Sequence, residues 1–203
     1  MKNAGNIFAA TLGALALAGC ATPAFVSPVE VTRFVGDAPS QLGQGNIAIE
    51  AAPGLDTNAL EYAVYRDALA RELEGLGYRV VSSNAEQIAV LDIALSVSEA
   101  ANRGSGVGVG VGGSTGSYGS GLGVGVGLDL TQLLNGPSPD HINRIVSVAI
   151  RQPGPRDNLW EGRAGFSASD NSEYADPVLA ADRAIGALFT GFPGESGETF
   201  TLD

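Results

Sequence analysis

Few residues in this chain have the type and spacing that chemistry requires. Among 203 residues there is one cysteine, one histidine and one tryptophan. A GxSxG pattern runs through Gly112, Gly113, Ser114, Thr115 and Gly116. A hydrolase elbow of that form needs a strand before it, a helix after it, and histidine and acid partners. Here it lies inside residues 104–127, where glycine fills half of the positions, so the match carries little weight. The GxGxxG at Gly108, Gly110 and Gly113 would have to open a helix to hold a dinucleotide, and no helical pattern follows it. Lys2 is the only lysine, which leaves the body of the chain without a Walker lysine or a Schiff-base amine. His141 could act as a general base, but it sits in a Pro-Asp-His turn, and an exposed turn histidine is the simpler reading. Asp170, Glu173 and Asp176 stand three apart and could offer oxygens to a weakly held calcium ion. Capping and solvation of a loop is the ordinary alternative. Trp160, flanked by charge in Leu159-Trp160-Glu161-Gly162, is expected to pack on the core. No catalytic, metal or cofactor residue is therefore assigned, and the chain is expected not to be an enzyme. A net charge of −11 and a pI near 4.4 disfavour nucleic acid as a partner. No nucleotide partner is expected either. One cysteine excludes an intrachain disulfide and a cysteine-rich zinc site.

That cysteine, Cys20, is the residue with a chemical role. It closes the stretch MKNAGNIFAATLGALALAGC. Lys2 supplies a minimal positive start, and residues 7–18 are apolar. This run is shorter than the ~20 residues a spanning helix needs and suits an export signal. Leu17-Ala18-Gly19-Cys20 resembles the bacterial lipobox, in which small residues admit the peptidase and the thiol receives the lipid. A plain cleaved signal and a buried N-terminal helix are the competing readings. The resemblance implies a signal peptide over 1–19 and a lipidated tether over 20–28. Residue Ala21, not an aspartate, follows the cysteine. By similarity to the enterobacterial sorting rule, this implies the outer membrane, facing the periplasm.

The elements that would position these residues follow from periodicity. Residues 29–35 and 46–51 alternate as strands. Asn58 with Glu61 fits a capping box, and Tyr62, Tyr65, Leu69, Leu73 and Leu76 form one stripe of the helix that follows. Strands are expected at 78–81, 88–97, 142–151 and 159–168, the last two as a hairpin. Asp176-Pro177 marks a helix start, striped by Val178, Ala181, Ile185 and Leu188 and stopped by Gly191. Residues 195–203 form an acidic tail. Within 104–127, Val107, Val109 and Val111 alternate with glycine, as do Leu122, Val124 and Val126. This predicts a Gly-rich β-hairpin insertion with one aliphatic face, with a flexible insertion as the alternative, since glycine weakens strands. The expected fold class is α+β: an antiparallel sheet of about six strands with two helices packed on one face, in a domain over 29–194.

The order of several motifs resembles the bacterial lipoproteins defined by the domain of unknown function 4136. The lipobox comes first, then Leu73-Glu74-Gly75-Leu76-Gly77-Tyr78-Arg79-Val80. Leu159-Trp160-Glu161-Gly162-Arg163-Ala164 follows, and last the helix running into Leu188-Phe189 and Phe192-Pro193. The resemblance implies a compact envelope lipoprotein without an assigned activity or agreed site residues. The expectation is a membrane-anchored, non-enzymatic protein that presents its domain to an envelope partner, with the 104–127 hairpin as the interaction candidate. A pore or secretion-channel component using that hairpin is the rival reading, and an envelope hydrolase using Ser114 and His141 is the third.

Overall fold

Strict alternation of apolar and polar side chains over most of the strands gives a sheet with one buried and one open face. The computed structural model describes residues 22–98, 139–154 and 158–203. Its elements run β1 (Val29–Val35), β2 (Asn46–Ala51), α1 (Leu60–Gly75), β3 (Arg79–Val80) and β4 (Gln87–Ser98). They continue as β5 (His141–Arg151), β6 (Asn158–Ser169), α2 (Pro177–Phe189) and β7 (Glu198–Leu202). Short 3-10 turns cover Pro39–Gln41 and Glu173–Ala175. The fold class is α+β, with seven strands in the order β3-β2-β4-β5-β6-β1-β7.

The sheet differs from the expected antiparallel six in two ways. It is mixed: β2 pairs in parallel with both β3 and β4, and the remaining pairings are antiparallel. The reason is the connection. α1 carries the chain back along the sheet after β2, so the strands that follow start at the end where β2 started. The seventh strand is the other difference. The segment expected as an acidic tail folds back as β7 beside β1, with Val31 opposite Phe200. Arg33 holds it there. This side chain is 5% exposed, donates from Nε to Glu198 Oε1 at 2.5 Å and from Nη1 to the Thr190 carbonyl at 2.7 Å, and lies over the Phe200 ring.

The helices contribute the other side of one core. Tyr62, Tyr65, Leu69 and Leu73 of α1 are buried as the stripe predicts, and Leu76 is half-buried. On α2 the buried face is Ala180, Ala181, Ala184, Ile185, Ala187, Leu188 and Phe189. Val178, expected on that stripe, is exposed. The small alanines let α2 approach its neighbours closely, so the packed face turns toward them and away from Val178. The two helix starts also differ. Asp176 caps α2 as expected, accepting from the Val178 and Leu179 amides at 2.8 and 3.1 Å. The capping box at Asn58 does not form. Ala59 is the N-cap of α1 and makes no side-chain bond. The Asn58 amide instead donates to Asp56 Oδ1 at 2.9 Å, which builds the preceding turn around Asp56.

Trp160 packs on the core as expected and is fully buried. Its ring stacks on Phe189 at 5.1 Å and meets the edge of Phe192 at 5.2 Å. Its indole N–H donates to the Pro193 carbonyl at 3.0 Å, so this large buried ring leaves no orphan donor. Gly162 makes room for it two residues further along the same face. A Cβ there would lie 2.3 Å from Trp160 Cη2.

Candidate functional site

Each residue singled out by sequence has a place to report. Cys20, the lipobox residues Leu17, Ala18 and Gly19, Ser114, and the hairpin residues Val107, Val109, Val111, Leu122, Val124 and Val126 lie outside the described residues. His141 opens β5, opposite Ser98 and Ser169. Its ring stacks on Phe25 at 5.0 Å with 14° between planes, so it serves as a platform for the incoming N-terminal segment. Asp170, Glu173 and Asp176 do not converge. Asp176 caps α2 through Oδ1, and Glu173 starts the 3-10 turn. Among the described residues no group of three metal-ligating side chains is brought together. No described helix is long and apolar enough to cross a membrane, which leaves strands undecided.

The segment expected as a tether is fixed to the domain at Phe25, Val26 and Ser27. The Phe25 amide donates to Ser169 Oγ at 2.8 Å, and the Ser169 amide donates back to the Phe25 carbonyl at 2.8 Å. Val26 bridges to Ala168. Ser27 continues the pairing: its amide donates to the Ser167 carbonyl, and its hydroxyl accepts from the Ser167 amide. The chain is therefore fixed to the end of β6 from Phe25 onward.

A second feature at this end was absent from the sequence reading. Arg144 of β5 occupies a position that faces the core, in register between Leu95 and Phe166. It is 4% exposed, and among the described residues its Nε and Nη1 have no hydrogen-bond partner. Its guanidinium lies 5.8 Å from the Phe166 centroid, and that of Arg183 lies 5.6 Å from the same ring. Arg183 also donates to Tyr174 Oη at 3.2 Å and to the Ser27 carbonyl at 3.4 Å. Cation–π contact supplies part of what a buried cation loses on leaving water. Nearby, burial pushes the Tyr65 phenol up to about 12, while the adjacent Arg144 guanidinium pulls it down. Strand parity could have flagged Arg144, because it shares a face with Val146, Val148 and Ile150.

Among the described residues, one face of the sheet carries no helix and is concave. It forms a trough of about 1100 Å³. Register places a polar row across its middle: Asp92 beside Ser147, then Arg163, Thr32 and Thr199. Thr32 and Thr199 share a hydroxyl hydrogen bond of 2.9 Å. On one side of this row lie Val90, Ala149, Glu161 and Phe34, and on the other Ile145, Gly165, Glu30 and Thr201. Phe34 is 53% exposed at one rim.

No family model matches the chain. A 60-residue stretch is 42% identical to an uncharacterized protein of Zymomonas mobilis. That stretch is 28% of this chain, and this chain spans 23% of the length of that relative. Among solved structures, a PDZ domain protein from Parabacteroides distasonis aligns with a TM-score of 0.48 at 13% identity, covering 97% of this chain and 42% of that one. Two PelC dodecamer structures from Paraburkholderia phytofirmans align with TM-scores of 0.35 and 0.37, each at 10% identity. They cover 83% of this chain and 95% and 96% of theirs.

Proposed function

We propose that the chain is a non-enzymatic lipoprotein of the bacterial cell envelope. Lipid on Cys20 holds it in the outer membrane on the periplasmic side, and its α+β domain binds an envelope protein. Membership of the domain of unknown function 4136 lipoproteins belongs to the same reading. The observation that carries it is the open sheet face. Among the described residues the helices cover one side of the sheet only, and the trough of about 1100 Å³ over five strands on the other side supports a role in contact. The tetrapeptide Leu17-Ala18-Gly19-Cys20 and the single cysteine support the anchor.

The binding part of this reading is tested by site-specific photocrosslinking in cells. A photoreactive residue at Arg163 or Phe34, on the open face, is expected to trap one common membrane-associated protein. The same residue at Glu74, on the exposed side of α1, is expected to trap none. Equal adducts from all three positions, or none from the open face, would contradict it.

A further inference from the structure

Large apolar side chains on the surface are unevenly placed. Among the described residues seven are more than two-fifths exposed: Phe25, Phe34, Leu60, Leu95, Val97, Val178 and Leu179. Topology puts six of them at one end of the sheet. β4 finishes there at Ser98, so Leu95 and Val97 are in its last turns of pleat. Ser98 is opposite His141, and His141 is opposite Ser169, the last residue of β6. Phe25 is hydrogen-bonded to that same Ser169. α2 begins soon after β6 ends, which places Val178 and Leu179 there. β2 runs parallel to β4 but ends opposite Leu91; Tyr65 of α1 lies beside Arg144, which is opposite Leu95, so the first turn of α1, with Leu60 at 88% exposure, lies toward this end. Only Phe34 lies at the far end, opposite Glu161.

The N-terminal segment leaves from this end too. Five peptide steps separate Cys20 from Phe25, and at ~3.6 Å per step they reach at most ~18 Å. On the reading that Cys20 carries lipid, Phe25 cannot be further than that from the anchored residue. We infer that this apolar end of the domain docks on the bilayer surface, with Phe25, Leu60, Leu95, Val97, Val178 and Leu179 entering the interfacial zone of the lipid. Scattered apolar side chains bind a membrane weakly by themselves. A short tether turns that contact into an intramolecular one at an effective concentration of about millimolar. Asp56, Glu61, Asp140, Asp170, Glu173 and Asp176 lie at or near the same end, so an anionic lipid surface would be repelled. The docking is therefore apolar in character, strongest on zwitterionic lipid and insensitive to salt. It sets the sheet upright on the membrane, with the open face turned sideways toward a partner.

The inference rests on lipidation of Cys20, and the test separates the two. Lipidated full-length protein is reconstituted into phosphatidylcholine vesicles, and its flotation with them is measured. Nitroxide labels are placed through Leu60→Cys, Val178→Cys and Phe34→Cys, because lipid already occupies the native cysteine. Labels at 60 and 178 are expected to be several-fold less accessible to a water-soluble nickel reagent than the label at 34, with no change at high salt. Equal accessibility at all three positions in floating protein overturns the docking and leaves the anchor standing. Protein that neither takes palmitate nor floats overturns both. Protection at 60 and 178 already present in Cys20→Ser protein without vesicles also overturns the docking. It would mean that a second copy or residues 99–138 cover this end.

Discussion

Gly162 shows how one residue sets the packing of the closing aromatic cluster. It precedes an open position in β6, and its absent side chain is the space that the Trp160 ring fills. Gly162→Ala would put a methyl group against Trp160 Cη2 and 2.8 Å from Leu188 Cδ1. Overpacking of this kind costs about 1–3 kcal/mol, and thermal unfolding should show a Tm lower by about 2–4 °C for each kcal/mol. An unchanged Tm would mean that Trp160 has room to move. Arg33 and Glu198 give a second prediction. The Arg33 hydrogen bond, with help from the Glu195 amide, holds the Glu198 carboxyl below its ordinary range. A carboxyl with a lowered folded pKa contributes stability that is present above its unfolded pKa. That contribution is lost as pH falls through the folded value. Glu198→Gln should therefore be less stable than wild type at pH 7, with the difference fading as pH drops below the carboxylate range. A deficit that stays constant with pH would assign the loss to shape rather than charge. Tyr65 works in the opposite direction. Its phenol is raised to about 12 by burial, so the stability it contributes is whole below the ordinary tyrosine range. That stability is lost between there and about 12, and ultraviolet titration should find Tyr65, and Tyr78 which burial also raises, ionising late, together with alkaline unfolding. A normal titration for every tyrosine would contradict the buried placement.

At the scale of elements, what the sequence made legible depended on whether the controlling contact was local. β1, β2, β5 and β6 stand where alternation put them, to within a residue at each end. The α2 start was legible because Asp176 and Pro177 act on the next turn only. Asp176→Ala removes the acceptor for two amides and should cost about 1 kcal/mol by denaturant unfolding; Asn58→Ala should cost much less, since Asn58 caps nothing through its side chain. Equal losses would reverse the assignment of the two caps. Other features were not legible because distant partners decide them. Glu198-Thr199-Phe200-Thr201-Leu202 is short and half polar, and becomes a strand through β1 and Arg33, more than 150 residues away. Strand direction was equally hidden. Side-chain parity is the same for parallel and antiparallel neighbours, so β2–β4 pairing could not be read from pattern. The buried face of α2 is set mostly by alanines, whose small apolar signal does not distinguish it from the neighbouring face that carries Val178. Arg144 and Arg183 are the clearest omission at the candidate sites. Strand parity puts Arg144 on the core face, but the Phe166 ring that both guanidinium groups approach is a distant partner that no local pattern reveals.

At the scale of the whole molecule, address and surface belong together. The single cysteine is five residues from the point where the chain joins the end of β6. Six exposed apolar side chains cluster at that end, and the open face stands along the side of the sheet. The proposed anchoring at Cys20 would account for these placements, and the proposed docking depends on it. The most direct measurement is incorporation of radiolabelled palmitate into wild type and Cys20→Ala, with fractionation of the membranes. The account predicts label on wild type only, with wild type in the outer-membrane fraction and Cys20→Ala released from it. Label retained by Cys20→Ala, or unlabelled wild type recovered free of membrane, would contradict it.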